Sequence, residues 1–231
     1  YVVKGKPRLI FQEMLPRVDN KDTKYEKWVD RFDRPGNQKK MTDWLGKLEY
    51  KPLISIILPT YNSDIKFLSA AINSLQSQSY GNWQLCIADD FSSNEPVKKY
   101  LKTLAANQRI DITFRNSNGH ISAASNSAIE LAKGEFIAFL DHDDQLHPHA
   151  LACVVGELNK NPTYDLIYTD EDKINEWGYR SDPHFKSDWN PDLILSQNYV
   201  CHFAIYRAKI LKQIGCLREG FEGAQDYDLV L

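Results

Sequence analysis

From Pro52 onward, short apolar runs alternate with stretches of helical periodicity, and this alternation limits the fold more than any other feature of the chain. Leu53–Leu58, Trp83–Ala88 and Phe136–Leu140 are nearly continuous apolar runs, which is typical of buried strands. Between the first two runs, Ile65–Gln78 carries apolar residues every three or four positions, which predicts a helix. Strands that alternate with helices predict an α/β fold, in which a mixed, mostly parallel sheet is flanked by helices.

Residues 1–50 differ from the rest because they are rich in charge and tryptophan and carry little strand pattern. Four of them recur at spacings typical of a short amphipathic helix, namely Tyr25, Trp28, Val29 and Phe32. We therefore interpret residues 1–50 as an N-terminal helical arm or as a linker to an upstream domain, and residues 51–231 as the main domain. The chain starts without Met and stops where a helix has just begun, so we expect a longer parent protein and a main domain cut at its C-terminal end.

Composition narrows the class of partners. With 231 residues, 42% of them hydrophobic, the chain can bury one substantial core. Its net charge is −3 and its basic residues are dispersed, which argues against nucleic acid and anionic membranes as partners. No apolar stretch approaches the roughly 18 residues of a membrane span. Four widely separated cysteines predict buried, reduced thiols. We expect a cytoplasmic protein, and the alternative is peripheral attachment at the inner membrane through parts outside this chain.

Polar clusters directly follow four of the predicted strands. They are Pro59-Thr60-Tyr61-Asn62, Asp89-Asp90, Asp141-His142-Asp143-Asp144 and Asp170-Glu171-Asp172. In open α/β sheets, ligands bind outside the carboxyl ends of the strands. We therefore expect these acidic clusters to converge on one site.

The third cluster predicts a metal site. Asp141, Asp143 and Asp144 are three carboxylates within four residues, and their mutual repulsion is relieved by a divalent cation. Mg²⁺ or Mn²⁺ binds well to one or two carboxylates together with the oxygens of a substrate diphosphate. The alternative is a solvated turn with an aspartate that caps the next helix. The position after a buried strand, together with the other acidic clusters, favours the metal.

The first two clusters predict a nucleotide site. A carboxylate of Asp89 or Asp90 can accept a hydrogen bond from the ring N–H of uracil or thymine, and Tyr61 can offer an aromatic face to the base. The alternative is that these aspartates only shape the turn before a helix. The chain lacks both the Gly-x-Gly-x-x-Gly fingerprint and a Gly-Lys-Ser/Thr phosphate loop. The absence of both motifs argues against a dinucleotide dehydrogenase and a phosphate-loop nucleoside triphosphatase, and favours a diphosphate held through metal.

At these residues the chain resembles family 2 glycosyltransferases of the GT-A fold, from about Pro52 to the last residue. The motifs that carry the resemblance are Ser55–Asn62, Cys86–Ser93, Asn118-Gly119 with Ala124-Ser125-Asn126, Gly134–Asp144 and Gln225–Leu229. Each is short, but their order and spacing together are specific. Three tracts look like a subgroup of large bacterial proteins that assemble O-antigen and related surface polysaccharides, namely Asn118–Ser122, Tyr168–Lys173 and Gly223–Leu229.

The resemblance implies a Rossmann-like nucleotide-diphospho-sugar transferase fold and an inverting transfer. The donor would be a UDP, dTDP or GDP sugar, and the acceptor a hydroxyl group of a glycan or lipid-linked glycan. The family pattern places the catalytic base at Asp226, which takes the acceptor proton at the start of a helix. It places the metal and diphosphate at Asp141, Asp143 and Asp144, with the last two as the strongest candidates.

The remaining site residues follow from the same motifs. The resemblance places the nucleotide at Pro59, Tyr61 and Asp90, and we add their neighbours Thr60 and Asp89 with His120 and Asn126. His120 can donate to a phosphate oxygen, or it is a structural group. We assign the acceptor or donor sugar to Asp170, Glu171, Asp172, Lys173, His202 and Gln225. The first four are alternatively a solvated strand end with internal ion pairs. Gln225 stands where the family usually has Glu, and its amide can still form hydrogen bonds.

Two other functions remain open on the residues alone. A nucleotidyltransferase that forms the activated sugar also uses a nucleotide-binding sheet and a divalent metal, but such enzymes favour a Gly-rich basic loop after the first strand, which Pro59–Ser63 is not. A non-catalytic carbohydrate-binding domain is the second alternative. Loss of metal-dependent turnover on changing Asp143 or Asp226 distinguishes an enzyme from such a domain.

Overall fold

A computed structural model describes residues 2–5, 23–33, 38–175 and 177–231 of the chain. The strands in these residues are β1 (Val2–Gly5), β2 (Ile54–Thr60), β3 (Trp83–Asp89), β4 (Ile110–Phe114), β5 (Phe136–Phe139), β6 (Asp144–Leu146), β7 (Leu166–Tyr168), β8 (Glu171–Ile174), β9 (Arg180–His184) and β10 (Ala204–Arg207). The helices are α1 (Thr23–Trp28), which continues as a π-helical segment (Val29–Asp33), α2 (Gln38–Gly46), α3 (Ile65–Gln76), α4 (Glu95–Leu104), α5 (His120–Ile129), α6 (Ala150–Lys160), α7 (Pro191–Ile194), α8 (Ala208–Gln213) and α9 (Gln225–Val230).

The main sheet has six strands in the order β4-β3-β2-β5-β10-β7. The first four are parallel to one another, whereas β10 runs antiparallel to both β5 and β7. The predicted mixed, mostly parallel sheet is therefore confirmed. Because β2, β3, β4 and β5 are parallel, the segments that follow them leave the sheet at the same edge.

Strand β2 lies at the centre of this sheet and is buried on both faces. Ile54, Ile56 and Leu58 belong to a core formed with α3, α4 and α6, whereas Ile57 belongs to a second core formed with α5, α8 and α9. All four side chains are fully buried. Side chains alternate between the two faces of a strand, so a continuous apolar run is what a sheet covered on both sides requires.

Strand β2 continues to Thr60, two residues beyond the predicted end at Leu58. The prediction stopped there because proline cannot donate a hydrogen bond in a sheet. However, the ladder between β2 and β5 already ends at the pair formed by Ile57 and Phe139. Pro59 lies two residues after Ile57 and faces the same side, beyond the last pair, so its missing N–H leaves no partner unsatisfied.

A second sheet of four strands, in the order β6-β1-β8-β9, is absent from the sequence predictions. In it, β1 pairs antiparallel with β6 and parallel with β8. The predicted N-terminal arm thus contains a strand as well as the helical segment 23–33. Within residues 1–50, positions 1, 6–22 and 34–37 lie outside the described residues. The polar stretch Asp170–Lys173, interpreted from the sequence as a strand end, is largely part of β8 itself.

All four cysteines are free thiols, but they differ in burial. Cys86 is buried, Cys201 and Cys216 are half-buried, and Cys153 is exposed. The prediction that all four are buried is therefore wrong for Cys153, which is one of the few α6 residues outside the core. Within the part of the chain that the structure describes, no helix combines the length and the apolar character needed to cross a membrane.

Candidate functional site

One cavity of about 40 Å³ collects residues from segments that are far apart in the sequence. It is lined by Pro59 from the end of β2, Asp141 after β5, His202 before β10, and Gln225 and Asp226 from the start of α9. These five residues come from the nucleotide, metal, sugar and catalytic sets predicted from the sequence. The structure therefore brings one or more members of each predicted set to the same place.

Asp226 is held at the cavity by neighbours that leave its carboxylate room for further hydrogen bonds. Asn198 Nδ2 donates to Oδ2 at 3.1 Å, and the Tyr227 N–H donates to Oδ1 at 3.0 Å. A carboxylate has about four acceptor sites, so it can also accept from a hydroxyl group. Burial, and to a smaller extent a hydrogen bond with Asp226, raise the pKa of the Cys201 thiol to about 12. Cys201 is therefore neutral beside Asp226 at neutral pH.

Within the described residues, two groups of side chains are arranged closely enough to share a metal ion. Asp141, Asp144 and His202 form one group, and Cys201, His202 and Asp226 form the other, with ligand atoms that lie within 4.8 Å of one another in each. His202 Nδ1 is 3.9 Å from Asp141 Oδ2. Two carboxylates and an imidazole are a donor set that suits Mn²⁺, whereas Mg²⁺ prefers oxygen alone. The first group thus fits the predicted metal.

The predicted metal residues do not all occupy this group. Asp144 is buried, at 1% exposure, where β6 begins, and Asp141 lines the cavity. Asp143, half-buried between them, belongs to neither three-residue group among the described residues. His202, assigned from the sequence to a sugar, lies instead with the metal carboxylates. A His is a common metal ligand, but a lone His in a loop gives no signal of its partners.

The main chain of residues 200–202 is fixed by two charged side chains. Glu171 Oε2 accepts from the His202 N–H at 2.5 Å, and Lys186 Nζ donates to the carbonyl oxygens of His202 and Val200 at 2.9 and 3.2 Å. Burial lowers the pKa of Lys186, although Glu171 counteracts this. Lys186 carries no sequence signal, because its partners are mainly backbone atoms that no pattern identifies.

Asp90, assigned to the nucleotide base, sits in a buried ion pair. Arg115 Nε lies 2.9 Å from Asp90 Oδ1, and the Gly119 N–H donates to both carboxylate oxygens at 3.0 and 3.2 Å. Arg115 also donates to Ser127 Oγ at 2.8 Å. The Asp90 side chain is only 3% exposed. Its bonds to the Gly119 N–H fix the loop before α5. Arg115 was not among the residues predicted from the sequence.

The loops that follow β2 and β3 are tied together at the same edge. The Asp90 N–H donates to the Thr60 carbonyl oxygen at 2.8 Å, and the Asn62 N–H donates to Ser92 Oγ at 2.8 Å. Asp89 is buried and accepts from the Ser92 N–H at 3.0 Å. The ring of Tyr61 is 52% exposed, as a base-stacking surface requires.

His120 and Asn126, also assigned to the nucleotide, lie on α5. His120 is exposed and is the first residue of that helix. Asn126 bonds the main chain of Leu217 in both directions, with Nδ2 donating to the carbonyl oxygen at 2.8 Å and Oδ1 accepting from the N–H at 3.1 Å. Asn126 therefore fixes the segment that leads to α9, and its side-chain amide is used in doing so.

The acidic residues of β8 and the residue before it are distributed over several contacts. Asp172 is fully buried and accepts from Tyr25 Oη at 2.5 Å and from Arg180 Nε at 2.6 Å. Lys173 forms an ion pair with exposed Asp182 at 3.0 Å. Asp170 accepts from the Lys186 N–H at 2.7 Å. These partners all lie outside residues 170–173, so the contacts join the tract to other segments and are not the internal ion pairs considered from the sequence.

Comparison with known proteins supplies a family and a fold. The model described as glycosyl transferase family 2 matches residues 55–215. The O-antigen biosynthesis protein RfbC of Myxococcus xanthus is 39% identical over 188 residues, which is 81% of this chain and 15% of that protein. The chain thus spans less than a sixth of the length of this curated relative.

Two solved structures share the architecture. The structure of S. aureus TarS 1–349 in complex with UDP superposes with a TM-score of 0.64 over 76% of this chain and 53% of that chain, at 23% identity. The mannosyltransferase PcManGT of Pyrobaculum calidifontis in complex with GDP-Man and Mn²⁺ gives 0.56 over 83% of this chain and 56% of that chain, at 16% identity. These likenesses, with the family match, confirm the GT-A fold that the motifs implied.

Proposed function

The chain belongs to glycosyl transferase family 2, and on that premise we propose that it catalyses an inverting transfer of a sugar from a nucleoside-diphosphate sugar to a hydroxyl group of a carbohydrate. The relative named for O-antigen biosynthesis supports a surface polysaccharide as the product. The acceptor is then a glycan or a lipid-linked glycan.

The observation that carries the proposal is the shared cavity of Pro59, Asp141, His202, Gln225 and Asp226. A transfer between two substrates needs the donor diphosphate, the reacting carbon and the acceptor hydroxyl within a few ångströms of one another. Pro59 and Asp141 come from the ends of parallel strands, where α/β sheets bind nucleotides. Asp226 comes from the start of helix α9 and lines the same cavity.

Asp226 is the proposed general base. Its carboxylate accepts the proton of the acceptor hydroxyl while that oxygen attacks the anomeric carbon from the face opposite the leaving diphosphate. A single displacement of this kind inverts the anomeric configuration and requires one base. Asn198 and the Tyr227 N–H orient the carboxylate. Gln225, which lines the same cavity, contributes an amide that can bond an acceptor hydroxyl.

Asp141, Asp144 and His202 are the proposed ligands of a divalent cation, with Mn²⁺ favoured by the imidazole. When bound, such a cation neutralises the negative charge that develops on the leaving diphosphate. The complex of PcManGT with GDP-Man and Mn²⁺ supports this cofactor. Asp143, next to these ligands, is a further proposed contact of the metal or diphosphate.

The nucleotide is proposed to lie along the ends of β2 and β3. Tyr61 offers an exposed ring to the base, and Asp90 has acceptor capacity for a base N–H beyond its bonds to Arg115 and Gly119. Because the complex of TarS contains UDP, a uridine donor is the first to test, followed by dTDP and GDP sugars.

The decisive experiment changes Asp226 to Asn and compares it with Asp228→Asn, a matched change two residues further along α9 in a residue paired with Arg218. Removal of a general base costs roughly 10²–10⁴-fold in rate. Asp226→Asn should therefore lose transfer by this factor while its affinity for UDP with Mn²⁺, measured by calorimetry, stays close to that of the parent. Asp228→Asn should retain transfer.

Parental transfer by the Asp226→Asn variant would exclude Asp226 as the base. A parent chain that binds glycan but turns over no nucleotide sugar, with Mn²⁺ present, would instead favour a non-catalytic carbohydrate-binding domain. Product analysis by NMR completes the test, because a product that retains the donor's anomeric configuration contradicts the inverting mechanism.

A further inference from the structure

Residue His202 is held through both its main-chain N–H and its main-chain carbonyl oxygen. Its N–H donates to Glu171 Oε2 at 2.5 Å, and its carbonyl oxygen accepts from Lys186 Nζ at 2.9 Å. The same ammonium group donates to the Val200 carbonyl oxygen at 3.2 Å. Three side-chain contacts from β8 and the segment after β9 therefore fix the segment that enters β10.

The charges of these two side chains are matched and largely removed from water. The Lys186 side chain is 1% exposed and that of Glu171 is 20% exposed, with Nζ and Oε2 3.5 Å apart. An ammonium group has three donors, and here the two carbonyl oxygens and the carboxylate supply three acceptors. A buried ammonium group without such partners is costly, so the arrangement constrains the backbone that supplies the acceptors.

The segment held in this way presents two consecutive side chains to the proposed active site. His202 Nδ1 lies 3.9 Å from Asp141 Oδ2, and Cys201 and His202 group with Asp226. A shift of the 200–202 backbone moves both side chains relative to Asp141 and Asp226. Direct contact with a sugar does not account for Lys186, because almost none of its side chain is accessible.

We propose that Glu171 and Lys186 are positioning residues, which act as a clamp on the main chain of residues 200–202 and set the distance of His202 from Asp141. Through this distance the clamp determines how tightly the site holds a divalent cation, a consequence that rests on the proposed function. The role differs from the sugar contact that the sequence suggested for Glu171, and Lys186 has no sequence-based assignment.

The clamp itself is tested without substrate or metal, by amide hydrogen exchange of a peptide that covers residues 198–204. Glu171→Ala removes the acceptor of the His202 N–H, and exchange at that amide should accelerate about tenfold or more as local opening becomes easier. Glu171→Gln keeps an oxygen in reach and should retain most of the protection. Lys186→Met should accelerate exchange across the same peptide.

The consequence is tested by titrating Mn²⁺ in the presence of UDP and following the free ion by electron paramagnetic resonance. Loss of groups that orient a metal ligand typically weakens metal affinity by about 10–100-fold. Glu171→Ala and Lys186→Met should fall in this range, and Glu171→Gln should stay within about threefold of the parent. Lys133→Met is the matched control, since Lys133 is 68% exposed and pairs with Asp111 on edge strand β4.

The possible outcomes separate the two proposals. Unchanged exchange in Glu171→Ala overturns the clamp, whatever the metal data show. Accelerated exchange with parental Mn²⁺ affinity overturns the link between the clamp and the metal. A parent chain that binds neither Mn²⁺ nor UDP contradicts the proposed function, and the exchange result still decides whether the clamp exists. If Lys186→Met does not fold, the pair Glu171→Ala and Glu171→Gln gives the answer. A sugar-contact role for Glu171 predicts a loss of transfer in Glu171→Ala with no change in exchange.

Discussion

Replacement of Arg180 by Leu should destabilise the chain strongly, because one guanidinium group is paired with two buried carboxylates. Arg180 Nη1 is 2.5 Å from Asp33 Oδ2, and Nε is 2.6 Å from Asp172 Oδ2. The two carboxylates are 6% and 0% exposed, and that of Asp172 also accepts a hydrogen bond from Tyr25 at 2.5 Å. The cluster joins the segment 23–33 to β8 and β9, so the substitution leaves two charges buried between these elements.

The magnitude follows from the cost of an uncompensated buried charge. Breaking a buried ion pair by removing one partner costs about 3–5 kcal/mol. For a chain of this size, each kcal/mol lowers the melting temperature by about 2–4 °C, so Arg180→Leu should lower it by roughly 6–20 °C. Burial alone lowers the pKa of Arg180, but Asp172 and Asp33 more than offset this and raise it overall. The guanidinium group therefore stays charged in the folded chain.

Differential scanning calorimetry of three variants tests this reasoning. Arg218→Leu is the control, because Arg218 is 64% exposed and exposed pairs contribute little to stability, so its melting temperature should stay near that of the parent. Adding Asp33→Asn and Asp172→Asn to Arg180→Leu removes the orphaned charges and should recover part of the loss. The reasoning is refuted if Arg180→Leu melts as high as Arg218→Leu, or if the triple variant is less stable than Arg180→Leu.

Two further substitutions test other parts of the structure. Arg115→Met removes the cation 2.9 Å from Asp90. The loss of a charge-assisted bond should weaken the binding of UDP without metal by about tenfold, measured by calorimetry. Unchanged affinity would argue against Asp90 as a base contact. Burial raises the pKa of the Cys86 thiol from 9.0 to about 12. Above pH 9 the thiol therefore ionises in the unfolded chain but not in the folded chain. The free energy of unfolding should then fall by about 1.4 kcal/mol per pH unit until pH 12. Cys86→Ala should lose this contribution, and urea unfolding at pH 8 and pH 10 should show a smaller decline than in the parent. Equal declines would contradict the burial of the thiol.

The main sheet could be predicted from the sequence because its strands are buried on both faces. Runs such as Leu53–Leu58 and Phe136–Leu140 are short, apolar and bounded by polar or turn residues, so they can be recognised as strands without knowledge of their partners. The strands of the second sheet lack this signal. Strand β8 consists of Glu171-Asp172-Lys173-Ile174, and β9 contains a proline, so neither composition nor alternation marks them. Their pairing depends on distant partners, including Tyr25, which no local pattern contains.

Convergence of the site could also be predicted, because parallel strands deliver the residues that follow them to one edge of the sheet. Pro59 and Asp141 meet at the cavity for this reason. The residues that orient the site could not be predicted. Asn198 donates to a side chain far away in the sequence, and Lys186 donates to main-chain oxygens, which leave no sequence pattern. A lone Asn or Lys in a polar segment is usually solvated.

The sequence also could not separate acids that fold the chain from acids that serve the site, and the structure suggests a physical criterion for doing so. Glu171 and Asp172 each have an arginine or lysine within 4.0 Å. Asp141 and Asp226, by contrast, have none among the described residues, although both line the cavity. A fixed cation would hold such a carboxylate ionised and occupied, and would compete with a proton or a metal ion for it. Acids that must bind a transient partner therefore have to lie away from the arginine and lysine side chains of the protein. The cations that pair with the other acids come from later segments of the chain, so no local motif reveals which acids are paired.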